Sequence, residues 1–131
     1  MSHELALVFL GFAAFQIKHY ICDFILQTRY QFANKGFYGH PGGILHTGLH
    51  GLGSIPALLI FTRSPAAIGI IVVAEMVVHY HTDWLKETID RRMKWTYSDA
   101  AYWWVFGADQ LVHQFTYLAI IVIMTTGTFG L

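Results

Sequence analysis

Charged residues are scarce in this chain of 131 residues. Asp, Glu, Lys and Arg together make up 12% of it, whereas apolar residues make up 55%. A soluble domain contains about a quarter charged residues, so the deficit argues against one and indicates an integral membrane protein. The formal net charge is zero, which leaves no basic surface for a nucleic-acid partner. The single cysteine, Cys22, excludes an internal disulfide.

The N-terminus also lacks the positive region and the small-residue cleavage site of a signal peptide. The first hydrophobic segment is therefore expected to remain in the protein. Four such segments are each close to the roughly 20 residues that a helix needs to cross a hydrocarbon core. They cover residues 5–26, 43–61, 66–85 (or as far as 89) and 101–124.

These segments are predicted to be helices. Backbone groups in lipid must be hydrogen-bonded within their own segment, and the alternation typical of strands is absent. The predicted fold is all-α, a single domain over residues 1–131 that forms an integral membrane bundle of four transmembrane helices. The lipid bilayer is its surrounding partner, and so small a bundle is compatible with a homodimer.

Polar connections join the predicted helices. The first, residues 28–42, is expected to be a loop. In the second, Ser64 can cap the third helix and Pro65 suits its first position. In the third, Ser98 or Asp99 is the expected cap of the fourth helix. Residues 90–99 as a whole are expected to be a solvated connection, and residues 125–131 a short frayed tail.

Lysine and arginine are concentrated in the first and third connections and the helix ends beside them. The residues concerned are Arg29, Lys35, Lys86, Arg91, Arg92 and Lys94. The positive-inside rule places both connections in the cytoplasm and both termini outside.

Ionisable side chains recur inside the apolar segments at a spacing of four residues, which puts them on one helix face. The sets are His19 and Asp23, His46 and His50, Glu75, His79 and Asp83, and Asp109 and His113. Counted from the cytoplasmic connections, the His and Asp members lie roughly 5–20 Å from the same membrane face. Ionisable groups in a membrane are costly, so a shared depth predicts a common site.

Imidazole and carboxylate ligands without thiolate favour zinc, with manganese or iron as alternatives. Nine candidate ligands exceed what one tetrahedral ion takes, so two divalent ions are predicted. Glu75 and Asp83 are the candidate catalytic groups, with Glu75 as ligand or general base. Five neighbours are expected to orient ligands or contact substrate, namely Lys18, Gln27, Lys86, Gln110 and Tyr117.

The motifs together resemble a family of small bacterial inner-membrane proteins known only as a domain of unknown function. They are His19-x3-Asp23-Phe24-x2-Gln27, His46-x3-His50, His79-x3-Asp83-x2-Lys86 and Asp109-Gln110-x2-His113, with Lys35 between the first two. The resemblance covers nearly the whole chain. It implies a multi-pass protein of the bacterial inner membrane and supports the site, but it brings no reaction with it.

The leading functional hypothesis is a metal-dependent membrane hydrolase. Two adjacent divalent ions generate hydroxide at neutral pH and clamp a phosphoryl or carbonyl oxygen. A site near the cytoplasmic leaflet suits a lipid or another amphipathic substrate.

Three alternatives stay open at this level. They are a divalent-metal or proton transporter or channel, a di-iron membrane oxidase, and a non-enzymatic assembly subunit whose polar layer only locks the helices together. The outer halves of the first, second and fourth segments are almost wholly apolar, which argues against a transport path. The sequence also lacks the His-x2-His-His boxes of membrane desaturases, which argues against an oxidase.

Overall fold

A computed structural model describes residues 2–126, and these residues form helices and no strand. The helices are α1 (His3–Tyr20), continued by a π-helical turn (Ile21–Ile25), α2 (Arg29–Asn34), α3 (Pro41–Leu58), α4 (Pro65–Met93) and α5 (Ala100–Thr125). The predicted all-α class is thereby confirmed. Most of the tail that was expected to fray, residues 127–131, lies outside the described residues.

Three helices are long and apolar enough to cross a membrane. They are α1 with its π-helical turn (His3–Ile25), α4 and α5. The fourth predicted span corresponds to α3, which has 18 residues but carries His46, His50 and several glycines in its length. The membrane character of three segments is therefore evident from length and composition, whereas that of α3 is not.

The four long helices pack side by side. α3 contacts α1 and α4, and α5 contacts α4 and α1, so each long helix has two long neighbours. Short α2 packs against the start of α3. We call the end of the bundle that carries α2 the α2 end.

The cap predicted at Ser64 is confirmed, whereas the one predicted at Asp99 is confirmed in position only. The Ser64 hydroxyl accepts a hydrogen bond from the Ala67 N–H at 3.3 Å, and Pro65 begins α4. Asp99 is the N-cap residue of α5, but its carboxylate accepts from the backbone N–H of Thr96 at 2.8 Å instead of from the helix. This side chain therefore closes the preceding turn.

Two expectations about the connections are wrong. Residues 28–42 contain helix α2, which begins with a capping box in which Thr28 and Gln31 each hydrogen-bond to the backbone of the other. So short a helix has little periodicity to reveal it. Helix α4 continues to Met93, and Asp90 is only 8% exposed, so the third connection is shorter and less solvated than expected. Lys94, with φ of 57°, ends α4.

The half of the bundle away from the α2 end has an apolar core. It comprises Phe15, Ala57, Leu58, Phe61, Ile71, Tyr117, Ile120, Ile121 and Met124. Phe61 packs closely against Gly11. A Cβ atom at Gly11 would lie 2.2 Å from the Phe61 ring. This core holds the helices together beyond the polar layer.

Helices α3 and α4 approach closely at Gly51. A Cβ at this position would lie 2.7 Å from the Met76 sulfur and 3.1 Å from a methyl group of Val72. Because Gly51 follows His50 directly, this close approach brings the histidines of α3 up to those of α4.

Candidate metal centre

The His and Asp pairs identified from their spacing meet in one buried layer near the α2 end. His46, His50, His79 and His113 are each no more than 2% exposed. The layer draws on α1 with its π-helical turn, α3, α4 and α5, which supply one pair each. Helical periodicity accounts for the common face within each pair, and antiparallel packing accounts for the common depth.

Asp23, in the π-helical turn, is the carboxylate at one side of this layer. Its Oδ1 atom lies 2.9 Å from Nε2 of His50 and 3.2 Å from Nε2 of His46. Its Oδ2 atom lies 3.1 Å from Nε2 of His19. One carboxylate therefore faces three imidazoles from two elements.

Asp83 of α4 has the corresponding role at the other side. Its Oδ2 atom lies 3.0 Å from Nε2 of His46 and 3.5 Å from Nε2 of His79. Its Oδ1 atom lies 3.4 Å from Nε2 of His113. His46 thus stands between the two carboxylates, and its Nε2 atom is also 3.2 Å from that of His79.

Two groups of side chains have the geometry to hold a metal ion. One consists of Asp23, His46, His50 and His79, and the other of His79, Asp83 and His113. Within each group the candidate ligand atoms lie within 4.8 Å of one another. His79 belongs to both, so the two groups adjoin.

Oδ1 of Asp109 and Nε2 of His113 face this centre and, in the described part of the chain, are buried without a satisfactory hydrogen bond. Nε2 of His113 lies 3.4–3.5 Å from carboxylate oxygens of Asp83 and Asp109, yet makes no hydrogen bond of good geometry with either. Buried polar atoms are normally paired, so converging unpaired ones fit ligands of a common cation.

Ring packing fixes the orientation of the histidines. The rings of His50 and His79 have centroids 3.8 Å apart, and those of His79 and His113 are stacked at 4.1 Å. The Nδ1 atoms of His46, His50 and His79 have no hydrogen-bond partner among residues 2–126. These rings are therefore held by packing, whereas a metal-bound histidine usually donates its second nitrogen to an acceptor.

His19 and Asp109 lie beside the two groups and belong to neither. His19 contacts the Tyr117 hydroxyl through Nδ1 and the Gln110 side-chain oxygen through Nε2, both at 2.9 Å. The Gln110 amide donates to Oδ2 of Asp109 at 3.1 Å. Gln110 and Tyr117 thus contact candidate ligands, as their positions in the sequence predict.

Glu75 lies one turn further from the α2 end and faces Lys18. The two side chains form a buried ion pair, and the Lys18 ammonium also donates to the Tyr117 hydroxyl at 3.2 Å. The sequence predicts Glu75 as a metal ligand or general base, but the structure does not bring it into either ligand group. Lys18, which the sequence predicts to orient ligands or to contact substrate, is thus paired with a carboxylate outside both ligand groups.

The remaining predicted neighbours lie toward the α2 end. The Gln27 amide is 3.5 Å from Oδ1 of Asp23. The Lys86 ammonium lies 2.9 Å from Glu87 and 3.1 Å from Asp90, above the ring of Tyr102. Lys86 is therefore tied to carboxylates outside the metal groups.

Lys35, at the end of α2, is a functional candidate that ligand spacing does not identify. Its ammonium lies 3.3 Å from Oδ2 of Asp83, and its side chain is only 11% exposed. Burial opposes the charge of Lys35, but Asp83 and the more distant Asp23 outweigh it and raise its pKa above the ordinary value. The sequence pointed to Lys35 only through the family resemblance, in which Lys35 stands between the first two motifs.

A cavity of about 230 Å³ opens beside this layer at the α2 end. Asp23, Asp109 and Gln110 lie on its inner side, and Lys35 and Lys86 are among its charged walls. Its aromatic walls are Phe24, Phe32, Tyr102 and Phe106. The cavity gives the buried layer a route to the outside of the bundle.

A family model described as "Protein of unknown function (DUF3307)" matches residues 12–130. The match begins within α1, extends through α5 and includes every His and Asp of the layer. No curated protein and no solved structure matches the chain significantly.

Proposed function

The chain belongs to the family of proteins of unknown function DUF3307, and from the chemistry of its buried layer we propose that it is a metal-dependent integral membrane hydrolase. The proposed site holds two divalent ions, with zinc preferred over manganese or iron. The proposed substrate is a lipid or another amphipathic ester.

One observation carries the proposal: two adjoining His/Asp groups share His79. Two groups that lie side by side would suit a dinuclear site, with Asp23 and His50 available to one ion, Asp83 and His113 to the other, and His79 to either of them. Charge supports a cation as the ligand, because within the described residues the three carboxylates of Asp23, Asp83 and Asp109 face one close ammonium, that of Lys35. The unpaired buried atoms of Asp109 and His113 support it further.

When bound by these residues, two adjacent divalent ions would supply hydroxide at neutral pH and would polarise the bond under attack. In the proposed hydrolysis the oxygen of water bonds to phosphorus or to a carbonyl carbon. The ester bond breaks, and the leaving oxygen takes up a proton. His19 and Gln110 orient the carboxylates of Asp23 and Asp109 for this work.

The proposed setting is a four-helix bundle in the bacterial inner membrane, with α3 as the fourth span. The α2 end lies toward the cytoplasm, because the lysines and arginines concentrate there. The large exposed side chains of α1, α4 and α5 suit contact with lipid; Phe9, Ile70 and Val122 are each more than half exposed. The cavity then opens at the level of the lipid head groups.

Transport is less well supported. A path for ions or protons needs polar groups that continue across the membrane. Beyond Glu75 and Tyr117, most of the described interior is the apolar core around Phe15, Leu58 and Phe61, with Thr62 as a buried polar residue at its far end. This core closes the far half of the bundle.

The test is elemental analysis of protein purified in detergent with a tag that does not bind metal. The wild type is compared with a His50→Ala, Asp83→Ala double variant and with His81→Ala as control. His81 is an exposed histidine of α4 outside the layer, hydrogen-bonded to the carbonyl of Val77. We expect close to two zinc or manganese ions per chain in the wild type and in His81→Ala, and loss of both in the double variant.

The other outcomes would support a different function. Iron with a coloured protein would redirect the search to oxygen chemistry. If all three proteins lack metal and the double variant is less stable, the polar layer only locks the helices together, as in a non-enzymatic assembly subunit. If metal is present, turnover of lipid phosphates and carboxylic esters is then screened, and lack of any turnover would argue against the hydrolase.

A further inference from the structure

The cavity at the α2 end has a size that fits part of a substrate. Sites that enclose a whole small-molecule ligand measure about 300–1,000 Å³, whereas this cavity measures about 230 Å³. Phe24 and Phe32 on its wall are 61% and 52% exposed on the outside of the bundle. A head group can therefore enter the cavity while an apolar remainder stays against these rings.

The two lysines on the cavity wall differ in how firmly they are held. Lys86 has two carboxylate partners, Glu87 and Asp90, neither of which is a candidate metal ligand. Lys35 has Asp83 as its ion-pair partner within the described part of the chain. Of the two lysines, only Lys35 pairs with a candidate metal ligand, because Asp83 belongs to the second ligand group.

A metal ion held by Asp83 would compete with Lys35 for the same carboxylate. The ammonium would then lose its ion-pair partner while staying on the wall of a cavity that leads to the metal centre. Glu87, which also lines this cavity and whose charge acts on Lys35, is already paired with Lys86. A buried ammonium without a close counter-ion is costly, so the loaded site favours a new anion at this place. Phosphate oxygens suit both a point charge such as lysine and adjacent divalent ions.

We propose that this cavity binds the phosphate group of an amphipathic phosphate ester and that Lys35 is its binding cation once metal is loaded. The inference rests on the proposed metal site and narrows its substrate class to phosphate esters. Lys35 thus exchanges one anion for another, and the order of binding is metal first and phosphate second.

The experiment measures binding of inorganic phosphate to detergent-purified full-length protein with and without zinc or manganese. Lys35→Met removes the charge but keeps an unbranched stem, and Lys35→Arg keeps the charge. Arg92→Met is the matched control, since Arg92 is an exposed cation in the last turn of α4. We expect phosphate binding only with metal, at least tenfold weaker in Lys35→Met, and near the wild-type affinity in Lys35→Arg and Arg92→Met.

Metal content is measured in the same samples. Lys35→Met that keeps its metal but not its phosphate affinity agrees with the proposal. Unchanged phosphate affinity in Lys35→Met, or loss of its metal, would overturn it. Absence of metal from the wild type would instead overturn the proposed function, so the two failures are distinguishable.

Competition identifies the source of the phosphate group. Phosphatidic acid in detergent micelles and glycerol 3-phosphate are compared as competitors of inorganic phosphate. Stronger competition by the lipid supports an amphipathic ester. Equal competition would overturn the amphipathic part, and no competition by either would overturn the assignment to phosphate esters.

Discussion

Individual side chains in the polar layer have distinct tasks, although the sequence presents them as equivalent pairs. His79 is the one member common to both candidate ligand groups. His50 belongs to the first group alone, and His113 to the second alone. The consequences of single substitutions should therefore differ from one histidine to the next.

We predict that His79→Ala loses most of the bound metal, because it removes a ligand from each group. His50→Ala should keep about one ion of two, since the second group stays complete. Metal per chain, measured by elemental analysis after dialysis, checks this. Equal losses in both variants would mean that the layer holds a single ion.

Lys18 and Glu75 form an ion pair that lies away from both ligand groups. Its expected role is in the stability of the fold. Lys18→Met leaves the Glu75 carboxylate buried without its partner, which costs about 3–5 kcal/mol. The double variant Lys18→Met, Glu75→Leu should regain most of this loss, because an apolar pair of similar volume replaces the ion pair. Thermal unfolding in detergent measures the stability of both variants. If the double variant is no more stable than Lys18→Met alone, the explanation is contradicted.

At the scale of elements, the layer depends on how closely the helices approach. The π-helical turn after α1 supplies Asp23, and Gly51 lets α3 come up to α4 beside His50. The spacing of ligands within each helix cannot compensate for a helix that stands too far from its neighbour.

We predict that Gly51→Leu separates α3 from α4, since even a Cβ there would press on Met76. The cost of such overpacking is about 1–3 kcal/mol, and metal binding should weaken at least tenfold because His50 moves away from His79. Gly48→Leu is the control, as no atom lies within 4 Å of a Cβ at Gly48. Isothermal titration with zinc distinguishes them, and equal affinities would show that the close approach is not needed.

At the scale of the whole molecule, the charge distribution predicts its orientation. The connection before α4 has one basic residue, Arg63, whereas the α2 end has most of the others. The α2 end and its cavity should face the cytoplasm, with Arg63 on the outside.

Cysteine labelling of bacterial cells tests this orientation. In a Cys22→Ala background, Arg63→Cys should react with a membrane-impermeant maleimide in intact cells. Arg92→Cys should react only after the membrane is permeabilised. The reverse pattern would place the cavity on the outer face and exclude a cytoplasmic substrate.

The sequence by itself determined the four long helices, the apolar lengths that suit a membrane for α1, α4 and α5, and the His and Asp members of the polar layer. Apolar length specifies a helix of known extent, and a spacing of four residues specifies a common face, so His46, His50, His79 and Asp83 could be named in advance. Helix α2 was missed because six residues carry too little periodicity, and the end of α4 was placed too early because its last turns are polar.

Only the tertiary structure decided which side chains meet. Periodicity gives the face and depth of a residue, but the rotation of one helix against another depends on packing across the whole interface. For this reason the sequence could not separate Glu75, which faces Lys18, from His79 on the same stripe. Nor could it show that Lys35, 48 residues before Asp83, contacts that carboxylate.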